Sequence, residues 1–571
     1  MSGGERTVVT PDRIRTVLAI NFNHDGAAAL LVDGQLAGFV CTERYSRLKK
    51  HPGLREQDLD ELLDQAGLGL DEIDHVLLCN LHSMDSPDIP RLHGSDLKQT
   101  WFEFWVNQRN DVVRIRGREI PCTVNPDHHT LHAASAYYTS PFDSAVSVAI
   151  DPLGARAFAG RGERLYPLNR GYDAWFNANV GYCHVAEELF GSAIVGAGKV
   201  MGLAPYGRPE RADELDWSDV TGFAQLMEIA AADPVYLEVD GRPLNAALAY
   251  YIQLGLEQQV SAVLADLVPV CERNGIALNL CLSGGTALNA IANQVCVEAS
   301  AFTALHLHPA CGDDGTAIGA ALWFWHHVLR RPRRAHAAAE LMYGVRTYPD
   351  HAVLAAVDGY RGGLTVAETR DEVDVAAQLV ATGAIVGWFD GAGEVGPRAL
   401  GHRSMLADPR DPAMPERLNL RVKHREPFRP FAPSVLNEHA TDWFGIRDSP
   451  FMLRASPVRR PGVPAITHVD GTSRIQTVTP ADNPRYYRLI ERFQQLTGVP
   501  MVLNTSLNTK GEPIVETPRD AIETLLGTEL DYLVFPGLVV GTASAATSPG
   551  STGRSWTSQP AARPAAEASS P

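Results

Sequence analysis

The sequence predicts an α/β protein of at least two domains, and three observations predict it. Short apolar runs that read as strands alternate with amphipathic helical stretches along most of the chain. Two small-residue turns, Ser283-Gly284-Gly285 and Gly312-Asp313-Asp314-Gly315, stand where a strand hands over to a helix. At 571 residues the chain also exceeds the size at which one hydrophobic core keeps growing.

The elements follow in order. Residues 17–20 begin a strand, His24-Asp25-Gly26 turns it, and the apolar run from Ala27 forms a hairpin around Asp33-Gly34. A helix is predicted at Gln57–Ala66, a strand at His75–Cys79, a helix at His128–Tyr138 and a strand at Ala145–Asp151. The helical stretch Leu244–Asn274 leads into a strand, Ala277–Leu282. The first glycine turn follows, then a helix at Ala287–Glu298. The second glycine turn opens a helix at Thr316–Leu329, which the cationic run Arg330–Arg334 ends.

Patterning weakens between 335 and 352, which suits a domain connection. Beyond it come a helix at Val373–Ala381, a strand at Ile385–Phe389, a strand at Pro500–Leu503 and a helix at Pro518–Leu526 capped by Thr517. The expected division is 1–345, 346–545 and a disordered tail, 546–571, rich in Ser, Thr, Pro, Ala and Gly. No internal repeat is visible in the sequence.

Composition excludes several functions. The net charge of −17 argues against a broad nucleic-acid footprint, which needs basic stripes. No apolar stretch is long enough to cross a bilayer, and the start lacks the apolar core of a signal peptide. The eight cysteines lie scattered, without CxxC pairs, and read as reduced core thiols. A cytoplasmic location is expected.

Against this acidic background, residues 394–436 concentrate Arg398, Arg403, Arg410, Arg417, Arg421, Lys423, Arg425 and Arg429 among glycines, prolines and aromatics. Guanidinium forks and a lysine point charge suit phosphate oxygens. Lys423 and Arg425, two apart, are expected on one side of an extended segment, and Ser506 and Asn508 repeat that spacing as donors from another strand end. Arg398, Arg429 and Arg474 add charge, whereas Arg410, Arg417 and Arg421 fit local pairing with acids such as Asp408 and Glu416.

A second centre is a candidate metal site. His128 and His132 project from one helix face, Asp151 ends the next strand, and Asp313 or Asp314 closes the set from the glycine turn. Two imidazoles with carboxylates suit Fe(II), Mn(II) or Zn(II). Read from spacing alone, the same residues also fit satisfied histidines and a helix cap. His129 points away from that face.

The motifs HDGAAALLVDG, HHTLH, GKVMGLAPYG, SGGTALN, GDDGTAIGAAL, GPRALGHRS, VKHREPFRPFAP, HVDGTSRIQTV and NTSLNTKGEPI occur in one order between residues 17 and 540. On them the chain resembles the antibiotic O-carbamoyltransferases, the group that includes the tobramycin, cephamycin and nodulation carbamoyltransferases. The resemblance implies an N-terminal actin/Hsp70-like (ASKHA) domain fused to a C-terminal YrdC-like α/β domain. The C-terminal domain of such proteins makes carbamoyl-adenylate from carbamoyl phosphate and ATP, with Mg(2+), releasing pyrophosphate. The N-terminal domain passes the carbamoyl group to a hydroxyl of a natural product at an iron-type, Fe(2+), site.

By the same resemblance, the metal ligands fall on His128, His132, Asp151 and Asp313. The phosphate-binding positions fall on Arg398, Lys423, Arg429, Arg474, Ser506 and Asn508, with Lys423, Arg425 and Arg429 catalytic. Gly284, Gly285 and Asn289 belong to the expected nucleotide contacts, and His24 is the candidate base for the acceptor hydroxyl. Relatives carry Asp-Gly-x-Gly where this chain has Asp151-Pro152-Leu153-Gly154, Ala155 replaces an acidic residue, and His402 stands where asparagine is frequent. The alternative is a threonylcarbamoyl-type tRNA modification enzyme, which the acidic charge disfavours. The acceptor and the oligomeric state are not legible.

Overall fold

A computed structural model describes residues 13–81, 104–107, 111–171, 178–210 and 223–543. The predicted tail, 546–571, lies outside them. The first sheet starts as a meander, β1 (Thr16–Asn21), β2 (Ala27–Val32) and β3 (Gln35–Cys41). Asp33 and Gly34, at φ 50° and 81°, form the tight turn that the Asp-Gly pair predicts. β4 (His75–Cys79) then adds parallel to β1, and β7 (Arg118–Val124) parallel to β4, with β5 (Phe104–Asn107) and β6 (Val112–Ile115) extending the edge.

The second sheet repeats this plan. A meander of β8 (Ser144–Asp151), β9 (Gly154–Arg161) and β10 (Arg164–Gly171) is followed by β13 (Asn279–Ser283), parallel to β8, and β14 (Ala304–Leu307), parallel to β13. A small hairpin, β11 (Tyr236–Val239) and β12 (Arg242–Asn245), precedes the long helix Ala246–Asn274. Sequence shows no repeat, yet the topology does: three antiparallel strands, then two parallel ones, twice. Burial of near-featureless Ala/Val/Leu strands preserves strand order without preserving letters.

Each sheet's last parallel strand runs into a helix that packs between the sheets. These are His128–Thr139 and Thr316–Trp323, which share one core with Ala133, Ala136, Ala317 and Ala321. Gly319 permits their contact, because a Cβ there would stand 2.0 Å from the carbonyl oxygen of Leu131. His128, His132 and the Asp313 turn lie at the starts of these two helices.

The third sheet is mixed and nine-stranded. Its members are β15 (Leu364–Glu368), β16 (Val386–Phe389), β17 (Arg403–Ala407), β18 (Ala432–Leu436), β19 (Arg454–Pro457), β20 (Thr472–Val478), β21 (Met501–Ser506), β22 (Tyr532–Phe535) and β23 (Leu538–Thr542). The order is β15-β23-β22-β16-β17-β21-β18-β20-β19. Helices Glu372–Ala381 and Pro484–Thr497 cover one face through Val380, Leu489 and Phe493.

Several expectations need correction. The helix predicted to Leu329 stops at Trp323 and continues as a π turn, Phe324–Val328. The helix expected from Leu244 starts at Ala246, with Asn245 accepting from the Leu248 N–H at 3.3 Å as its cap. The 335–352 connection contains a helix, Ala338–Met342, and Tyr343 pairs with Glu394 of the later part. Lys423 and Arg425 are not on an extended segment. Residues Leu418–Lys423 form a π turn ended by His424 in the left-handed region at φ 49°. That turn is held by the Asn419 carbonyl, which accepts from the Arg425 N–H at 3.0 Å. All eight cysteines are free. Among the described residues no helix is long and apolar enough to cross a membrane.

Candidate active site

The histidine centre is set by the start of one helix. The Asp127 carboxylate accepts from the Thr130 N–H at 2.8 Å and caps it, so His128 and His132 fall one turn apart, their rings 4.6 Å apart and perpendicular. Asp151 arrives at the end of β8, and Asp313 in the turn before Thr316. His128 Nε2 lies 3.0 Å from Asp151 Oδ2 and 3.9 Å from Asp313 Oδ1. His132 Nε2 lies 3.1 Å from Asp313 Oδ1 and 3.9 Å from Asp151 Oδ2. Ligand atoms of His128, His132 and Asp151 thus lie within 4.8 Å of one another, with Asp313 facing both histidines.

The surrounding bonds aim those atoms. His128 Nδ1 donates to Asn80 Oδ1 at 3.1 Å, since the Asn80 amide nitrogen already donates to Asn21 Oδ1 at 2.7 Å. That fixes the tautomer that leaves Nε2 free for a cation. Asp151 Oδ1 is taken by His129 Nε2 at 3.2 Å and by the Leu153 N–H at 2.7 Å, while its Oδ2 is buried without a hydrogen bond. Asn23 donates to Asp313 Oδ2.

A lone pair facing a buried, unsatisfied carboxylate oxygen calls for a positive charge between them, and the residues fit a divalent transition metal. Without it a proton takes the place. Burial lowers the basicity of His128, but Asp151 and Asp313 outweigh it and raise its pKa to about 8. His132, fully buried, is lowered chiefly by that burial. Asp151 and Asp313 are held below the usual carboxylate range despite burial, because the histidines bond and face them. His24 stands beside the set, with Nδ1 3.1 Å from Asp25 Oδ2 and Nε2 3.8 Å from Asp313 Oδ2.

The second centre is a cavity of about 250 Å³ between the first and third sheets' loops. Arg398, Lys423, Arg425, Arg429, Arg474, Ser506 and Asn508 all line it. Burial and neighbouring cations push Lys423 and Arg474 well below their ordinary values and lower Arg398, while burial lowers Arg429 against the pull of Glu426. A crowd of mostly half-buried cations held at such cost suits a polyanion. Ser506 and Asn508 do not act as donors to the cavity here. Both accept from Lys423 Nζ, Ser506 Oγ at 3.2 Å and Asn508 Oδ1 at 2.7 Å, while the Ser506 hydroxyl donates to Asn508 Oδ1 and the Asn508 amide nitrogen to the Glu512 carbonyl, each at 2.7 Å. Arg425 is partly structural: it donates to Asn419 Oδ1 at 2.7 Å and lies over Phe431 at 4.5 Å.

The remaining predicted contacts do not reach the cavity. Gly284, at φ 86°, closes β13 against the Ile150 backbone. Gly285 opens the 3-10 turn Gly285–Leu288. The Asn289 side chain caps the helix Ala290–Glu298 and donates to Gln253 Oε1 at 2.7 Å, and it does not line the cavity. Its neighbours Leu288, Ala290 and Ile291 line the cavity instead.

Comparison with known proteins identifies the family. A carbamoyltransferase N-terminus model matches residues 92–230 and 235–322, and a carbamoyltransferase C-terminus model matches 377–541. The chain belongs to the carbamoyltransferase family. It is 34% identical to nodulation protein NolNO of Sinorhizobium fredii over 91% of this chain and 78% of that one. It is 30% identical to the 3'-hydroxymethylcephem-O-carbamoyltransferase of Amycolatopsis lactamdurans over 89% and 95%. Among solved structures, component A of the (R)-2-hydroxyglutaryl-CoA dehydratase of Acidaminococcus fermentans aligns with 56% of this chain and all of its own, at 12% identity and a TM-score of 0.33.

For this member of the family, sequence reading missed the cations that the first sheet contributes. Arg44, Lys49 and Lys50, just after β3, line the same cavity, as does Lys510. Burial together with Lys50, Arg429 and Arg398 lowers Lys49 to about 8, against the weaker pull of Glu43. The stretch RYSRLKK carries four cations in seven residues. The criterion applied to residues 394–436 would have found it. His129 was set aside on helical geometry, yet it holds Asp151 from the side.

Proposed function

We propose that the chain is an ATP-dependent O-carbamoyltransferase that works through carbamoyl-adenylate and acts on a hydroxyl of a natural product. The observation that carries this is the shared wall of the two centres. Gly312 and Asp314 line the cationic cavity, while Asp313 between them faces the histidines. An intermediate made on one side has a short way to the other.

In this reading the cavity cations neutralise the phosphates of Mg(2+)-bound ATP and of carbamoyl phosphate. Carbamoyl phosphate, ATP and water give carbamoyl-adenylate, pyrophosphate and phosphate, the carbamate oxygen attacking the α-phosphorus. Lys423, anchored on Ser506 and Asn508, and Arg429 bear on that developing charge. His128, His132, Asp151 and Asp313 would hold the metal, iron being the expectation. When bound, it would supply Lewis-acid stabilisation of the adenylate phosphate. His24, half-buried beside them and held by Asp25, takes the acceptor's proton. Shielding between the two centres protects the labile adenylate from water.

The reading includes a division of labour between an actin-like N-terminal part, 1–345, and a YrdC-like part, 346–545. The repeated strand order of the first two sheets supports the former. The family's hydroxymethylcephem relative supports a hydroxyl acceptor. The test is to incubate the protein with ATP and carbamoyl phosphate and measure pyrophosphate, then add hydroxylated natural products and look for a carbamoyl mass increment. Absence of carbamoyl-phosphate-dependent pyrophosphate release would refute the reading.

A further inference from the structure

Behind the cavity wall sits a carboxylate that the scheme above does not use. Glu426 is 7% exposed and does not line the cavity. Its Oε1 lies 3.1 Å from Lys199 Nζ and 3.3 Å from Lys510 Nζ, and its Oε2 lies 3.6 Å from Arg429 Nη1. Two of these cations, Arg429 and Lys510, face the cavity. The third does not: Lys199 comes from the helix Ala193–Leu203, which packs in the core of the second sheet. Its Nζ also lies over the Phe190 ring at 5.2 Å, and Phe190 packs on Phe428, two residues from Glu426, with centroids 6.1 Å apart.

We infer that Glu426 is a positioning residue for carbamoyl activation, holding Arg429 and Lys510 in the cavity wall while Lys199, from the other part of the molecule, tempers its charge. This rests on the reading of the cavity as a phosphate site. A buried carboxylate with no cation but Arg429 and Lys510 would compete with ligand phosphate for them. Lys199 shares its charge and leaves the two able to turn to a ligand. When phosphates engage Arg429 and Lys510 from the cavity side, Glu426 still braces both from behind with Lys199 as its third partner, and the Ala193–Leu203 helix stays docked. The same helix brings Gly198, Met201 and Gly202 to the cavity. The arrangement therefore registers the phosphate-binding wall against the second sheet's part.

Lys199 is thus expected to act through Glu426, which a double-mutant cycle reads directly. Full-length protein is titrated with inorganic tripolyphosphate by calorimetry, and pyrophosphate release from ATP and carbamoyl phosphate is followed in parallel. K199M is expected to weaken tripolyphosphate binding and raise the KM for ATP roughly five- to twentyfold, with kcat within about twofold. E426Q is expected to bind tripolyphosphate at least as tightly as the natural protein, yet lose roughly tenfold or more in kcat, because Arg429 is no longer held. Adding K199M to E426Q should change affinity by less than about threefold. E426D, which keeps the charge, should recover part of the lost kcat. If K199M costs the same factor in both backgrounds, or leaves binding unchanged, the inference is overturned. Tripolyphosphate binding needs no turnover, so this outcome is distinct from a protein that releases no pyrophosphate at all.

Discussion

Asp313 and Asp314 are adjacent in the chain and serve opposite sides of one turn. Asp313 Oδ1 meets His132 Nε2 at 3.1 Å, whereas Asp314 lines the cationic cavity and has its pKa raised to about 7 by desolvation and by the nearby Asp25 and Glu43. A 3-10 turn, Asp313–Gly315, makes this possible, because successive side chains there project about a third of a turn apart. Gly315 is required in it, since a Cβ would lie 1.8 Å from the Ala310 carbonyl oxygen.

Lys423→Ala should abolish carbamoyl-phosphate-dependent pyrophosphate release, by about a hundredfold or more. The ammonium is buried and fixed on Ser506 and Asn508, so its loss removes a charge held at that one point of the cavity wall. Steady-state assay of released pyrophosphate checks this, and unchanged release would remove Lys423 from the mechanism.

His128→Ala should spare pyrophosphate release and abolish carbamoyl transfer, with metal affinity down roughly 10–100-fold or more. Metal content by mass spectrometry, measured beside the transfer assay, separates a ligand from a residue that only packs. Treating the natural protein with a chelator should reproduce the pattern, and the added metal should restore transfer.

Lys49 predicts a proton linkage. Its pKa is lowered to about 8, chiefly by burial, and a bound polyanion raises it again. Binding of ATP near pH 8.5 should therefore take up a proton, and affinity should fall as pH rises above about 8. At pH 6.5 Lys49 is already charged and contributes no uptake. Calorimetry in buffers of different ionisation enthalpy measures this, and Lys49→Met should remove its share.

Gly284→Ala should destabilise the protein by about 2–4 kcal/mol. The residue sits at φ 86°, and its Cβ would stand 2.2 Å from the Ile150 carbonyl oxygen. Thermal unfolding reads the loss. A neutral substitution would show that the β13 turn relaxes at no cost.

Much of this molecule was legible in its letters. His75–Cys79 falls where the apolar run predicts, and Thr517 caps its helix through the Asp520 N–H. The His128/His132 pair follows from i,i+4 spacing, and the gathering of cations at one cavity from their crowding in an acidic chain. These are local properties, set by periodicity, capping chemistry and charge density over a few residues.

Tertiary structure decided the rest. Only folding brings Lys49 and Lys50 to Lys423 and Arg429, nearly four hundred positions away along the chain. It turns Lys423-His424-Arg425 from an extended segment into a π turn with a left-handed end, and it commits Asn289 to capping and Gln253. It also duplicates a strand order that the sequence conceals. Pairing between distant segments depends on which apolar faces meet and which buried polar groups find partners. Neither quantity is a property of any short stretch.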